Sequence, residues 1–380
     1  MYGQGTSSME YPIKNLRFEW QMEDSNGEKV KFKVNQNDCP VDLICLKADY
    51  MESSGSHNTG TANLIYKLLN GLKLKTPAQK YYESKVDYDI VTTIRGYPVV
   101  IFYRPDENSE YEFIGKYNLN LDKATQEPFG FVCDPQERPN SMSEAKFGWK
   151  SGNNTLSTFD DDIVNTIHCY EFKNNGTDLA NFINTSNDDF ETMFFKVTTN
   201  TEGDTAPNWY HSYESRYPEG DSKTGDDIDI ASWFELCKWV NSTSVNEATN
   251  ELLSEPYLDS NGKTHYNDNE EYRLAKFKKE FTQHFDLDFS TFYYVLTHVL
   301  LMIDSRAKNM MIATWDNQIW YPIFYDMDTM LGLNNYGYNK FGYDVEDTHN
   351  NIYNGQSSVL WNNFRECFPG PIRTMYNSMQ

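Results

Sequence analysis

Two short windows carry the side chains best suited to chemistry. Asp304-Ser305-Arg306-Ala307-Lys308-Asn309 follows a very apolar helical pattern, and Asp326-Met327-Asp328-Thr329-Met330-Leu331-Gly332 follows a strand–turn–strand pattern. The hairpin between them runs out through Met310 to Trp315, turns at Asp316-Asn317-Gln318, and returns through Ile319 to Tyr325. Its arms are antiparallel and each residue advances ~3.3 Å, so the two displacements nearly cancel. Asp326 is therefore expected beside Asn309, and Asp304, Asn309, Asp326 and Asp328 can converge on one pocket. Clustered carboxylate and amide oxygens suit Mg²⁺, a hard cation that keeps several waters and substrate phosphates. Asp-x4-Asn, a hairpin and then a metal-binding Asp is also the order of a kinase catalytic loop and its metal site. In that order Asp304 orients the attacking hydroxyl or takes its proton. Asn309 and Asp326 hold metal, with Asp328 beside them, and Arg306 can stabilise charge on the transferring phosphoryl group. The same residues also fit a plainer role, with Asp304 and Asn309 capping a helix end and Asp326 to Asp328 forming a solvated turn.

Two further features bear on phosphate. Gly3-Gln4-Gly5-Thr6-Ser7-Ser8 is a small-residue loop, and backbone N–H groups in such loops approach phosphates closely. Lys47 ends an apolar run just before a helical pattern, where a Lys reaches α- and β-phosphates in a kinase-like site. Taken singly, the loop also fits a flexible start, and Lys47 a surface residue with a buried stem.

The elements that must position these groups fall into three stretches. Residues 1–120 read as a sheet-rich lobe. Lys14 to Trp20 and Lys29 to Val34 alternate with period two, with a turn signal at Asn26-Gly27 between them. Val41 to Lys47, Ile90 to Ile94, Pro98 to Tyr103 and Tyr111 to Leu119 read as further strands. Ala62, Ile65, Tyr66, Leu68 and Leu69 mark one helix. Residues 121–225 are polar and turn-rich, and read as a hinge with an irregular insertion. From 226 to 380 the period is helical. Ile230, Trp233, Phe234, Cys237 and Val240 share one face, and Phe277, Phe281 and Phe285 another. Phe292, Val295, Leu296, Val299 and Leu300 mark a third, buried helix, with Ser290 or Asp288 as its cap. The fold class is α+β, with antiparallel sheet and a mainly helical second lobe carrying one hairpin.

Composition narrows the function classes. With 33 basic and 56 acidic side chains the net charge is −23, which repels nucleic acid. A hydrophobic fraction of 39% excludes a disordered chain. No apolar run reaches the ~20 residues of a membrane-spanning helix. The six cysteines are scattered, with no zinc spacing, and no Ser-His-Asp or Cys-His arrangement stands out. The first residues lack the basic and then apolar regions of a signal peptide.

Taken together, the motifs resemble the CotH-type (spore coat protein H) kinase-like family. The resemblance is carried by Gln4 to Ser8 with Tyr11 to Asn15, by Leu46 to Met51 with Ser53 and Ser54, and by Gly115 to Leu119. Tyr213 to Glu219, Asp304 to Asn309 and Asp326 to Gly332 complete it. The motifs occur in family order over nearly the whole chain. The resemblance implies a two-lobed atypical protein-kinase-like fold, ATP and Mg²⁺ as cofactors, and phosphoryl transfer to Ser or Thr of a protein. It makes Asp304 the catalytic Asp and Asn309 and Asp326 metal ligands, with Asp328 helping. It puts Lys47 on phosphate, with Lys14 as the rival, and places Gly3, Gly5, Ser7 and Ser8 over the phosphates. It also implies that a first strand is missing before Gly3, that helices following residue 380 are cut away, and that the chain belongs to a longer polypeptide. Two other readings remain open. One is a catalytically silent kinase-like domain serving as a structural part of a tailed-phage virion or a surface protein, with protein neighbours for partners. The other is a Mg²⁺- or Ca²⁺-binding interaction module without nucleotide.

Overall fold

The computed structural model describes residues 2–4, 10–52, 54–123, 125–131, 167–173, 190–217, 219–220, 230–242, 257–258, 261–262, 264–265, 270–302, 304–306, 308–333, 337 and 358–380. Among them the protein is mixed α+β with antiparallel sheets and nine α-helices. The chain divides into two compact units. The first comprises 1–131, 300–303 and 324–353, and the second 132–299, 304–323 and 354–380.

The first unit is built on a five-stranded antiparallel sheet of β1 (Tyr2–Gln4), β2 (Asn15–Glu19), β3 (Leu43–Lys47), β4 (Gly96–Tyr103) and β5 (Glu112–Leu121), in the order β1-β2-β3-β5-β4. Ile44, Cys45 and Leu46 of β3 are all buried, as an apolar run between two partner strands should be. Helix α1 (His57–Leu72) buries Ala62, Ile65 and Leu69, the spacing of one helical face. It ends at Lys73 in the left-handed conformation, whose N–H bonds back to Asn70 and Leu69 carbonyls. Helix α2 (Pro77–Tyr82) starts with a reciprocal cap. Gln79 N donates to Thr76 Oγ1 at 3.1 Å, and Thr76 N donates to Gln79 Oε1 at 2.9 Å.

Two expected strands take other forms. Residues 29–34 make only single bridges, Glu23 to Lys29 and Phe32 to Val41. The segment Ile90 to Ile94 forms one parallel bridge, Thr93 to Phe324. Its backbone groups go elsewhere: Val91 N donates to Pro128 O at 2.8 Å, and Gln79 Nε2 donates to Ile90 O at 2.9 Å. Alternation marks residues 29–34 as a partly exposed face, and the β-branched run Ile90 to Ile94 is fully buried, but neither pattern supplies a neighbouring strand.

Gly96 opens β4 opposite Asn120. A Cβ there would lie 1.9 Å from Asn120 Oδ1 and 2.6 Å from Leu119 O, and the latter belongs to a ladder that cannot yield. Gly96→Ala is therefore expected to destabilise the protein by about 1–3 kcal/mol. Chemical unfolding checks this, and an unchanged midpoint would show that β4 shifts freely.

The second unit holds the sheet β10-β9-β6-β13-β14, made of β6 (His168–Phe172), β9 (Tyr213–Tyr217), β10 (Glu219–Gly220), β13 (Met310–Thr314) and β14 (Trp320–Phe324). A separate ribbon pairs β7 (Val197–Thr199) with β8 (Thr205–Pro207), and another pairs β11 (Tyr257–Leu258) with β12 (Thr264–His265). The expected hairpin is present as β13 and β14. The segment 121–225, expected to be an irregular connector, instead supplies the central, fully buried β6 and its neighbour β9. These strands are only five residues long and lie within polar sequence, so their periodicity is too brief to stand out.

The helices are α3 (Phe190–Phe195), α4 (Asn208–Ser212), α5 (Ile230–Ser242), α6 (Glu270–His284), α7 (Leu287–Val299), α8 (Val359–Cys367) and α9 (Pro369–Ser378). The core is aromatic. Trp233 of α5 stacks on Tyr170 of β6 at 4.6 Å and meets Trp320 of β14 edge-on at 5.5 Å. Helix α7 buries every residue from Phe289 to Thr297, as its apolar pattern requires. Its cap is neither Ser290 nor Asp288 but Asp286, whose Oδ1 accepts from Phe289 N at 2.9 Å. The helix begins one turn before its apolar stripe.

Candidate functional site

The first unit brings Lys47 and Asp326 together. Lys47 ends β3 opposite Asn118, and its Nζ lies 3.9 Å from Asp326 Oδ1. Both side chains are mostly buried, at 15% and 22% exposure. Burial works against the Lys47 charge, but the carboxylates of Asp326, Asp328 and Asp49 outweigh it and raise its pKa above the ordinary lysine value. Cys45, Lys47, Asn58, Asn120, Tyr325 and Asp326 help line a cleft with room for about one water molecule.

Behind this pair lies a buried amide network. Asp49 Oδ1 accepts from Asn58 Nδ2 at 3.0 Å, and its Oδ2 accepts from Asn118 Nδ2 at 2.6 Å. Burial raises the Asp49 pKa, and the two amides and Lys47 oppose that rise. Asn58 Oδ1 accepts from Met327 N at 2.8 Å, and His57 Nδ1 lies 3.0 Å from Asp328 O. The turn bearing Asp326 and Asp328 is thus fastened to the first turn of α1. Glu52 is engaged differently. Its carboxylate accepts from the backbone N–H groups of Ser56 and His57, capping α1, and from Ser54 Oγ. Burial pushes the Glu52 pKa up, but those bonds prevail and hold it below the usual value. The nearest counter-charge of Lys47 is accordingly Asp326, and Glu52 serves the helix.

Asp49 and Asp326 have φ of 44° and 48°, in the left-handed region. Asp and Asn tolerate it better than other side chains because their short polar groups bond locally. Asn309, in the second unit, shares this conformation at 51°.

In the second unit the segment after α7 holds Asp304 and Arg306, both buried. Tyr293 Oη donates to Ser305 O, which ties the loop to α7. Arg306 is 1% exposed. Its Nε donates to Thr297 Oγ1 at 3.0 Å and its Nη2 to Tyr294 O at 2.9 Å, with the guanidinium 4.1 Å from the Tyr294 ring centre. A cation at the C-terminal turn of a helix complements the helix dipole. Arg306 was expected to meet a phosphoryl group; here its Nε and Nη2 are engaged by α7. Arg306→Met is expected to cost about 2–4 kcal/mol, because it removes two buried hydrogen bonds from a charged donor and the ring contact with Tyr294. Thermal unfolding tests this; a loss below 1 kcal/mol would free Arg306 for another role.

Of the other expected residues, Lys14 lies half-buried just before β2. Gly3 lies within β1, paired with Leu16, so its backbone is in a ladder rather than a loop. Gly5, Ser7 and Ser8 lie outside the described residues. No group of three or more His, Cys, Asp or Glu among the described residues is arranged to hold a metal unaided. One or two carboxylates suffice for a Mg²⁺ that keeps waters and phosphates.

Asp49, Asn58, Asn118 and His57 were not singled out from the sequence. A signal existed at the end of β5 and the residue after it, where Asn118, Asn120 and Asp122 alternate with Leu119 and Leu121. Polar residues at period two between apolar ones mark a polar sheet face, and all three are buried. No protein-family model matches the sequence, and no curated protein is significantly similar to it. No helix among the described residues is long and apolar enough to cross a membrane.

Proposed function

We propose that the chain is a CotH-like, atypical kinase-like domain that transfers a phosphoryl group from Mg-ATP to Ser or Thr of a protein. The observation that carries the proposal is the approach of Lys47 to Asp326, a phosphate-binding cation beside a hard-oxygen ligand. Lys47 would hold nucleotide phosphates, and Asp326 would hold metal with Asp328 as neighbour. The reading gives Asn309 a second metal contact and Asp304 the acceptor proton. Bound Mg-ATP would supply the transferable phosphoryl group with its charge partly neutralised. What the chain supplies is position: Lys47 is fixed by the β3 ladder and Asp326 by a turn bound to α1.

One observation favours the catalytically silent alternative, a structural part of a virion or surface protein. The cleft beside Lys47 has room for about a water, and Lys47 already has carboxylate neighbours in place of phosphate. Calorimetric titration with Mg-ATP separates the two. Saturable heat that disappears in Lys47→Met supports the enzyme. No heat from ATP with Mg²⁺ supports the scaffold.

A further inference from the structure

Resting on that reading, we infer that Asn58 is a positioning residue that holds the Asp326–Asp328 turn in its working register. The inference starts from the two ends of one side-chain amide. Its Oδ1 receives Met327 N, the backbone group between the two aspartates, at 2.8 Å. Its Nδ2 donates a hydrogen bond to Asp49 Oδ1 at 3.0 Å. Asn58 is 4% exposed, so neither bond has a ready replacement in water.

The orientation of this amide is fixed by its partners. Met327 N is a donor and needs an oxygen, and Asp49 is an acceptor and needs an N–H, so only one arrangement satisfies both. Asp49 is held in turn by Asn118, whose Nδ2 also donates to Gly55 O at 2.6 Å. Asn118 lies opposite Lys47 in the β3–β5 ladder. One hydrogen-bonded chain therefore runs from the strand pair that carries Lys47, through Asn118, Asp49 and Asn58, to the backbone that carries Asp326.

Parallel links reinforce it. His57 Nδ1 meets Asp328 O at 3.0 Å, and Thr61 Oγ1 meets Met330 Sδ, both from the same end of α1. Asp326 adopts φ of 48°, a conformation that persists only where its surroundings hold it. Asn58 supplies that hold one residue later. Asn58 helps line the cleft of Lys47 and Asp326, but both ends of its amide are engaged, so it acts by deciding where Asp326 stands relative to Lys47.

The test is hydrogen exchange at Met327 in the full chain, together with steady-state kinetics. Asn58→Ala is expected to speed exchange of the Met327 amide about tenfold, the loss of one ordinary hydrogen bond. Exchange in the α1 interior, at Ile65 and Leu69, should stay within about twofold. On the proposed reaction the same variant lowers kcat about tenfold and leaves KM for ATP nearly unchanged, because the phosphate-holding Lys47 remains. Asn58→Asp keeps an oxygen for Met327 but faces the Asp49 carboxylate, and is expected to protect Met327 only at acid pH. Should Asn58→Ala fail to fold, Asn58→Ser, whose shorter side chain does not span Met327 N and Asp49 together, provides the same comparison at Met327. Unchanged Met327 exchange in a folded Asn58→Ala protein overturns the inference. A wild-type protein without turnover removes the kinase reading but leaves the exchange result to decide what Asn58 holds.

Discussion

Lys47→Met is expected to lower kcat/KM for Mg-ATP-dependent transfer by ~10²–10³, the usual loss when one fixed charge-stabilising donor is removed. The motive is geometric: Nζ is 3.9 Å from Asp326 Oδ1 at the end of a buried strand, with no second lysine in that pair. Methionine keeps the length and apolar stem of the side chain, so the change tests charge rather than packing. Stability should fall too, because Asp326, Asp328 and Asp49 lose their shared cation. Breaking a fully buried pair costs about 3–5 kcal/mol. Lys47 and Asp326 retain some contact with water, which reduces the expectation to about 1–3 kcal/mol. The pH dependence has a definite sign. The folded-state pKa of Lys47 is raised above the ordinary lysine value of 10.5 by the neighbouring carboxylates. Its contribution is therefore fully present below about pH 10.5 and is lost as pH rises through the folded value. Urea unfolding of wild type and variant should differ by a constant amount up to about pH 10 and begin to converge only above the ordinary lysine value of 10.5. A difference still constant above that value would mean that Lys47 acts through packing alone, and label transfer at the wild-type rate would remove it from the proposed reaction.

Legibility of the sequence followed the length of each pattern. Helix α7 was readable because its apolar residues persist over the whole of a 13-residue element. The hairpin of β13 and β14 was readable because a three-residue polar turn separates two apolar arms. Strand β3 was readable as an unbroken apolar run ending in a charge. Strands β6 and β9 were not, since His168, Glu171, Glu214 and Arg216 break up any apolar run and their partners are distant in sequence. The segment Ile90–Ile94 shows the reverse failure, with a strand-like composition whose hydrogen bonds go to a loop carbonyl and a glutamine. At the site, the sequence revealed charged end groups but not the amides that hold them. Lys47 and Asp326 stand out by residue type and by their place at element ends. Asn58 and Asn118 become meaningful only when the β3–β5 register and the start of α1 bring them to Asp49. Arg306 shows what type and spacing leave out: a guanidinium in a catalytic-looking loop also donates to the preceding helix.

Asp304→Asn separates the two roles that this residue can play. Aspartate and asparagine are equally good helix caps, so a capping role predicts a stability change of only a few tenths of a kcal/mol and no other effect. A general base cannot be an amide. On the proposed reaction the substitution removes proton acceptance and lowers kcat by ~10²–10⁴. KM for ATP should move less than about threefold, because Lys47 and Asp326 are untouched. The loop is well placed for such a test. Asp304 is buried, Ser305 O is bound by Tyr293, and Arg306 is anchored to Thr297 and Tyr294, so an isosteric change leaves the backbone in position. Alanine is the poorer probe, because it empties a buried volume and confuses folding with chemistry. The measurement is incorporation of labelled phosphate into a Ser/Thr-rich protein, with a thermal midpoint on the same samples. Full incorporation by Asp304→Asn excludes Asp304 as the base. Lost incorporation with an unchanged midpoint and unchanged ATP binding assigns it a chemical role that capping cannot imitate.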